Sequence, residues 1–245
     1  MNSNLTSSPP FISGTASHAI YAAPAKHPKA KFLDGLPRQV RNSVLAAATH
    51  RRLCARSVVI NQSDPADYLF LLLEGCARHF FMTPQGEKLL LFWLSPGDIF
   101  GGRALLSRPS TYLINTEMVK DSSVAVWHRD TIRKLAADNP TLFDNALEIA
   151  SDYFAWYVAT HCVLVSHTAR QRLAHVLTSL SACIGRQVAG GVELDLSNEE
   201  LASAANLTPF TTSRLLSGWQ RRGAIAKRRG KVLLLKPDLL FHALN

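Results

Sequence analysis

A chain of 245 residues with 47% hydrophobic and 18% charged side chains has the composition of a folded globular protein, which excludes a disordered chain. That length holds one large domain or two smaller ones, each with its own core. The formal charge of +9 is unevenly placed: from His167 onward 11 Lys/Arg stand against 5 Asp/Glu, leaving +6, while the first 166 residues carry only +3. A small basic segment joined to a near-neutral one points to a polyanion partner for the C-terminal part. A merely solvated basic surface is the plain alternative.

The first thirty residues are rich in Ser, Pro and Ala and lack a basic stretch followed by an apolar one, so residues 1–30 read as a flexible tail rather than a signal peptide. Cys54, Cys76, Cys162 and Cys183 are widely spaced with no CxxC pair. That argues against a disulfide framework or a structural zinc site, and for buried reduced thiols in a cytoplasmic protein. The longest apolar runs, YLFLLLEG and KLLLFWL, are too short to span a bilayer, so no membrane partner is expected.

From Lys31 to Asp130 a brief helix, LPRQVRNSVLAAA, precedes strand-like runs: SVVI, YLFLLLEG, CARHFFMT, KLLLFWL, the stretch around YLINTEMV, and SVAVWH. Turn signals separate them, among them Gln-Ser-Asp-Pro, Thr-Pro-Gln-Gly-Glu and Ser-Pro-Gly-Asp. Short strands rich in β-branched and aromatic residues predict a sandwich or barrel.

After the break at Asn139-Pro140 a long helix is predicted to start near Thr141. Phe143, Leu147, Ala150, Phe154, Tyr157, His161 and Leu164 recur at alternating spacings of four and three, the seam of a coiled coil. A second apolar row runs beside it through Ala146, Ile149, Tyr153, Trp156, Thr160 and Val163. Two apolar stripes need two covers, and the chain offers only its barrel. A second copy of the same helix is the simplest other cover, which predicts a parallel homodimer. A helix buried wholly within its own chain is the alternative.

Another helix, HTARQRLAHVLTSLSACIG, is followed by a Gly-Gly turn. Ser197-Asn198-Glu199-Glu200 then has the capping-box form and opens a helix that buries Leu201, Ala204 and Ala205. It stops at Asn206, which tolerates the left-handed conformation of a tight turn. Thr208 caps a second helix whose first position is Pro209, where a missing N–H costs nothing. Thr212, Leu215, Leu216 and Trp219 lie at core spacing, so Phe210, Thr211, Ser213, Arg214 and Ser217 face outward, with Arg221 further along. Two short helices joined this way form a helix-turn-helix. Arg214 suits a guanine edge, Ser213 either base type, and Phe210 or a Thr methyl a thymine methyl. Arg221, Arg222, Lys227, Arg228, Arg229 and Lys231 would hold flanking phosphates, the last four on a basic hairpin with Arg229-Gly230 at its tip. The predicted partner is double-stranded DNA; a helical packing module with a basic exterior is the bland alternative.

In this order, barrel, long helix and helix-turn-helix resemble the CRP/FNR-type transcription regulators over about residues 31 to 240. The resemblance rests on Asp64-Pro65-Ala66-Asp67-Tyr68-Leu69, Leu73-Glu74-Gly75, Pro96-Gly97-Asp98-Ile99-Phe100-Gly101, Asn139-Pro140, and the stretch from Leu196 to Ile225. It implies an α+β fold: an N-terminal double-stranded β-roll or jelly roll, a long dimerisation helix and a C-terminal winged helix-turn-helix. The domains expected are residues 31–138 as a cyclic-nucleotide-binding-like sensor, 139–166 as dimerisation helix and hinge, and 167–245 as the DNA-binding domain. The implied function is that of a homodimer binding an inverted-repeat operator. A signal in the roll would be passed to the recognition helices through the linker Val165-Ser166-His167.

The departures matter as much. In the family's cAMP receptors the phosphate cassette is Gly-Glu-Leu followed by Arg-Ser. Here Gly101-Gly102-Arg103 and Tyr112-Leu113 stand in those places, and Tyr157-Val158 replaces the expected Thr-Ser adenine contacts. Those six positions, Gly101, Gly102, Arg103, Tyr112, Leu113 and Tyr157, are the candidate effector pocket, for an unknown small molecule rather than cAMP. With no cysteine before Cys54, an iron–sulfur centre is not expected either. For a haem-binding gas sensor the candidate ligands would be Cys76, His79 and His161, and each of the histidines also reads as structural. Ser213-Arg214 matches the Ser-Arg of FNR-like readers, while Phe210 replaces their acidic residue and Pro209 stands where the cAMP receptors have Arg. If the protein is an activator, RNA polymerase would be a partner, through loops such as Gly185 to Gly191.

The enzyme reading fails. A metal-dependent cupin needs His-x-His plus a further Glu and His, and only His79 is available inside a core strand, His128 standing at the end of its run; no GxSxG or P-loop spacing occurs. The remaining alternative is a ligand-binding or haem-based gas-sensing roll whose DNA binding is weak or lost.

Overall fold

The computed structural model describes residues 32–241 apart from Arg229 and the side chain of Cys183. The expected tail over 1–30 and the phosphate contact expected of Arg229 therefore lie outside the described residues. Helix α1 (Arg38–Ala46) leads into β1 (Thr49–Leu53), β2 (Val58–Ile60), β3 (Tyr68–Glu74), β4 (Ala77–Met82), β5 (Lys88–Leu94), β6 (Ile99–Phe100), a 3₁₀ turn (Gly102–Leu105), β7 (Asn115–Met118) and β8 (Ser122–His128). They form two antiparallel four-stranded sheets, ordered β1-β8-β3-β6 and β2-β7-β4-β5.

The unbroken apolar run of β3 has a simple cause: it is covered on both faces. Phe70 and Leu72 point between the sheets at Phe92, Leu94, Met118, Val124 and Val126. Leu69 and Leu71 point the other way, into a cluster with Phe32, Val44, Trp127, Ile132 and Ala136. Trp127 donates its indole N–H to the Val44 carbonyl at 2.8 Å, which seats α1 on the sheet.

Helix α2 (Arg129–Asp138) precedes the long α3 (Thr141–Ser166), which starts at the predicted residue. Its second apolar row faces the roll: Ile149 is buried, and Tyr153 and Trp156 pack on Phe92 with ring centres 5.0 and 5.5 Å away. Helix α4 (Ala169–Cys183) follows after one extended residue, His167, and the cap Thr168, whose hydroxyl and Gln171 complete a capping box. The expected three-residue linker is thus shorter, because α3 stays helical through Val165 and Ser166.

The C-terminal part contains α5 (Asn198–Ala204), α6 (Pro209–Arg221) and the sheet β11-β12-β10-β9, built from β9 (Arg186–Val188), β10 (Gly191–Leu194), β11 (Ile225–Arg228) and β12 (Lys231–Leu234). The segment from Gly185 to Gly191, expected as a loop, mostly forms the β9–β10 hairpin. No helix among the described residues is long and apolar enough to cross a membrane.

Candidate nucleic-acid interface and ligand cavity

The helix-turn-helix is assembled by caps written in the sequence. Ser197 accepts the Glu200 N–H while Glu200 accepts the Ser197 N–H, closing a capping box. Asn206 turns the chain at φ 50°, in the left-handed region. Thr208 accepts the Thr211 N–H at 3.1 Å, and Pro209 occupies the first helical position. On α5 the buried residues are Leu201 and Ala202, with Ala205 just beyond, and Ala204 is only half-buried. On α6, Leu216 and Trp219 are buried and Leu215 half-buried. Phe210 is left 77% exposed; Arg214 and Arg221 are exposed, and Thr211, Ser213 and Ser217 half-buried on the same side. A helix with arginine and hydroxyls outward from its first turns is what a major groove admits.

Thr212 faces the other way, fully buried, and its hydroxyl has no hydrogen-bond partner among the described residues. A buried hydroxyl without a partner costs free energy that an isosteric methyl does not. Thr212→Val is expected to stabilise the protein by about 1 kcal/mol, read as a higher Tm, with DNA affinity retained because the side chain points into the core.

In the wing, Arg228 is exposed, but Lys231 pairs with Glu193 at 3.0 Å, as does Arg186 at 2.6 Å. Lys231, its side chain still 37% exposed, is thereby also tied to the wing itself. Two features were not legible beforehand. Arg172 of α4 donates to the carbonyls of Ala205 and Asn206, at 3.1 and 3.2 Å, and of Leu164 and His167, each at 3.4 Å. One guanidinium thus joins the end of α3 to the turn of the helix-turn-helix. Its partners are backbone atoms, which leave no trace in a side-chain pattern.

The second feature lies on the sheet β2-β7-β4-β5, whose faces look at different things. His79 and Thr116 are register partners, bonded at 2.9 Å, and point inward. Their neighbours Arg78 and Glu117 are also register partners and point outward. There Arg78 bonds Glu117 at 3.2 Å and reaches Glu200 of α5, while Lys88 also bonds Glu117. Trp93 and Cys76 of the roll join the core cluster of the helix-turn-helix, and burial pushes the Cys76 thiol up to about 12, leaving it un-ionised. Burial pushes the Glu117 carboxyl up, but the bonds from Lys88 and Arg78 outweigh it and leave it below the ordinary carboxylate range. The sign follows: stability from this group is present above its ordinary value of 4.5 and lost as pH falls through the lower native value. Glu117→Gln is expected to flatten that acid limb in unfolding measured across pH.

Between roll and α3 lies a cavity of about 580 Å³. All six residues of the predicted pocket line it: Gly101, Gly102, Arg103, Tyr112, Leu113 and Tyr157. Gly101 has φ 76°, and a Cβ there would meet the Tyr68 carbonyl at 2.6 Å, so only glycine fits. Tyr112 is not available to a ligand through its hydroxyl, which donates to the Tyr68 carbonyl at 2.8 Å and accepts the Tyr68 N–H at 3.0 Å. Arg103 donates Nε to Ser110 at 3.3 Å and makes no ion pair among the described residues. The turn carrying it is clamped from outside by Arg129, which donates to Ala104, Leu106 and Ser107, and by Arg133 on Leu105 and Leu106.

The predicted coiled-coil seam shares this cavity. Phe143, Leu147, Ala150, Phe154 and Tyr157 line it, and Leu147 and Phe154 are each 71% exposed. His161 is exposed and Leu164 half-buried further down the helix, beyond the cavity. The three residues considered for haem are not brought together. His79 lines the cavity, Cys76 is buried in the other cluster, and His161 is exposed on α3.

A model of the cyclic nucleotide-binding domain matches residues 50–139, and a model of the Crp-like helix-turn-helix domain matches residues 171–242, together more than half of the chain. The chain is 24% identical over 179 residues to the CRP-like cAMP-activated global transcriptional regulator of Mycobacterium tuberculosis, covering 72% of this chain and 79% of that protein. It is 23% identical to the transcriptional activator protein anr of Pseudomonas aeruginosa, covering 72% of each. The structure of FixK2 from Bradyrhizobium japonicum has the same fold, with a TM-score of 0.69 and 22% identity over 79% of this chain and 95% of that one. With both domain models matched in the order roll, long helix and helix-turn-helix, this chain belongs to the CRP/FNR family of DNA-binding transcription regulators.

Proposed function

We propose that the protein is a homodimeric regulator that binds an inverted-repeat operator through α6 of each copy and is controlled by a ligand in the β-roll. The observation that carries this reading is the row Phe143, Leu147, Phe154 and Tyr157, apolar side chains between 38% and 71% exposed on a 26-residue helix whose other stripe is already packed on the roll. Such a row on one chain calls for a cover, and a second α3 supplies matching residues at matching spacing. Residues 31–138 act as sensor, 139–166 as dimer helix and hinge, and 167–245 as DNA-binding domain.

In each half-site Ser213 and Arg214 read base edges, Phe210 and Thr211 take the thymine-side contacts, and Thr208, Ser217, Arg221, Arg228 and Arg229 hold backbone. Half-sites about 34 Å apart require the two recognition helices to keep one spacing. Ligand binding changes that spacing by two connections: α3, whose end Arg172 ties to the turn at Ala205-Asn206, and the sheet that carries His79–Thr116 on one face and Arg78–Glu117–Glu200 on the other. The Mycobacterium relative is cAMP-activated by name. Here Leu113 and Tyr112 replace the phosphate-binding pair, and none of the described residues lining the cavity carries a carboxylate for a ribose. That supports an effector other than cAMP. In activation RNA polymerase would be the further partner, with the β9–β10 hairpin as its contact.

Light scattering on the full chain tests the assembly. A mass twice the 26.9 kDa of one chain at micromolar concentration is expected, and a monomer that binds an inverted repeat normally would contradict the reading.

A further inference from the structure

The chemistry lining the cavity narrows the class of ligand. Its volume of about 580 Å³ is that of a small-molecule site. The walls are Ile60, Phe92, Phe100, Leu105, Ile149 and Phe154, among others, and they are overwhelmingly hydrocarbon. Arg103 is the single charged side chain among the described lining residues, half-buried and without an ion pair among them. Two more facts limit what a ligand could use. The Tyr112 hydroxyl is taken up by the Tyr68 backbone, and Thr116 and His79 bond each other. A ligand with polar groups spread over its surface would lose more hydration against these walls than the hydroxyls of Tyr153 and Tyr157, which also line them, could replace. A ligand with an apolar body and one anionic end would lose little, since hydrocarbon meets hydrocarbon and the charge meets a guanidinium able to make two parallel bonds to it.

We infer that the cavity binds an apolar monocarboxylate, its carboxylate on Arg103 and its body between the roll and α3. The inference rests on the sensor reading proposed above and names the ligand class of that same site. It also places the ligand against Phe143, Leu147 and Phe154, the residues that a second copy would cover, so body length determines contact with the dimer seam.

Calorimetric titration of the full-length protein with decanoate, hexanoate, 1-decanol and cAMP tests it. Decanoate is expected to bind about tenfold or more tightly than 1-decanol, because only the carboxylate engages the guanidinium. From hexanoate to decanoate each methylene is expected to tighten binding by about three- to fourfold through burial. Arg103→Gln should erase the preference for the acid over the alcohol, and Arg103→Lys should keep part of it, which separates loss of charge from loss of fold. Equal binding of acid and alcohol, decanoate affinity unmoved by Arg103→Gln, or saturable cAMP binding without decanoate binding each overturns the assignment. Operator affinity measured with and without decanoate separates the two readings. Decanoate bound through Arg103 with no effect on DNA upholds the ligand class and removes the sensor reading, whereas cAMP-dependent DNA binding without decanoate binding does the reverse.

Discussion

Leu147→Glu with Phe154→Glu is expected to leave the protein monomeric and to cost almost all of its operator affinity. Each of these side chains is 71% exposed on one chain, so the substitutions leave the fold of the single copy largely untouched. In the dimer each would be covered, and full burial of a Leu or Phe contributes about 1.5–3 kcal/mol. Four such residues, two from each copy, make the seam worth several kcal/mol, and four carboxylates in their place would repel one another there. Dimer dissociation is expected to rise by at least about a thousandfold. A monomer holds one half-site only and forgoes the effective concentration that linking two sites provides, about 10²- to 10⁴-fold in affinity. Sedimentation and a mobility-shift titration check both halves, with circular dichroism confirming a folded chain.

Arg214→Ala is expected to weaken binding to the cognate operator by about 1–3 kcal/mol per half-site, or roughly 5- to 150-fold, and to relax the base preference where it reads guanine. Arg214 is exposed, so the loss is expected to come from DNA rather than from folding. Arg221→Ala gives the contrast that makes this specific. A phosphate contact should weaken all duplexes alike and reduce the salt slope by about one unit per copy without changing base preference. If Arg214→Ala lowers binding to all sequences equally, it holds backbone and the base-reading role passes elsewhere on α6.

Much of the DNA-binding architecture was legible because it is local. The capping box at Ser197, the left-handed turn at Asn206 and Pro209 at the first helical position are each written within four residues, and all are present. The start of α3 and its two stripes were legible for the same reason, since periodicity is a short-range signal. What escaped was either short or long-range. β1 reads Thr-His-Arg-Arg-Leu, an exposed edge strand whose charges suit an edge but give no alternation. β6 has two residues, and β9 three. The Arg78–Glu200 pair joins positions 122 residues apart, and Arg172 acts on carbonyls that every residue possesses. The pocket residues were found through departures from a family pattern, not from chemistry of their own. That their walls coincide with the predicted seam needed the packing of α3 on the roll.

The most direct measurement is in-vitro selection of the full-length protein against a random duplex pool, with the recovered sequences aligned for symmetry. Enrichment of an inverted repeat, its half-sites about one helical turn apart and each with a guanine lost on Arg214→Ala, is the predicted result. Recovery of single, asymmetric half-sites by a protein that stays monomeric would contradict it.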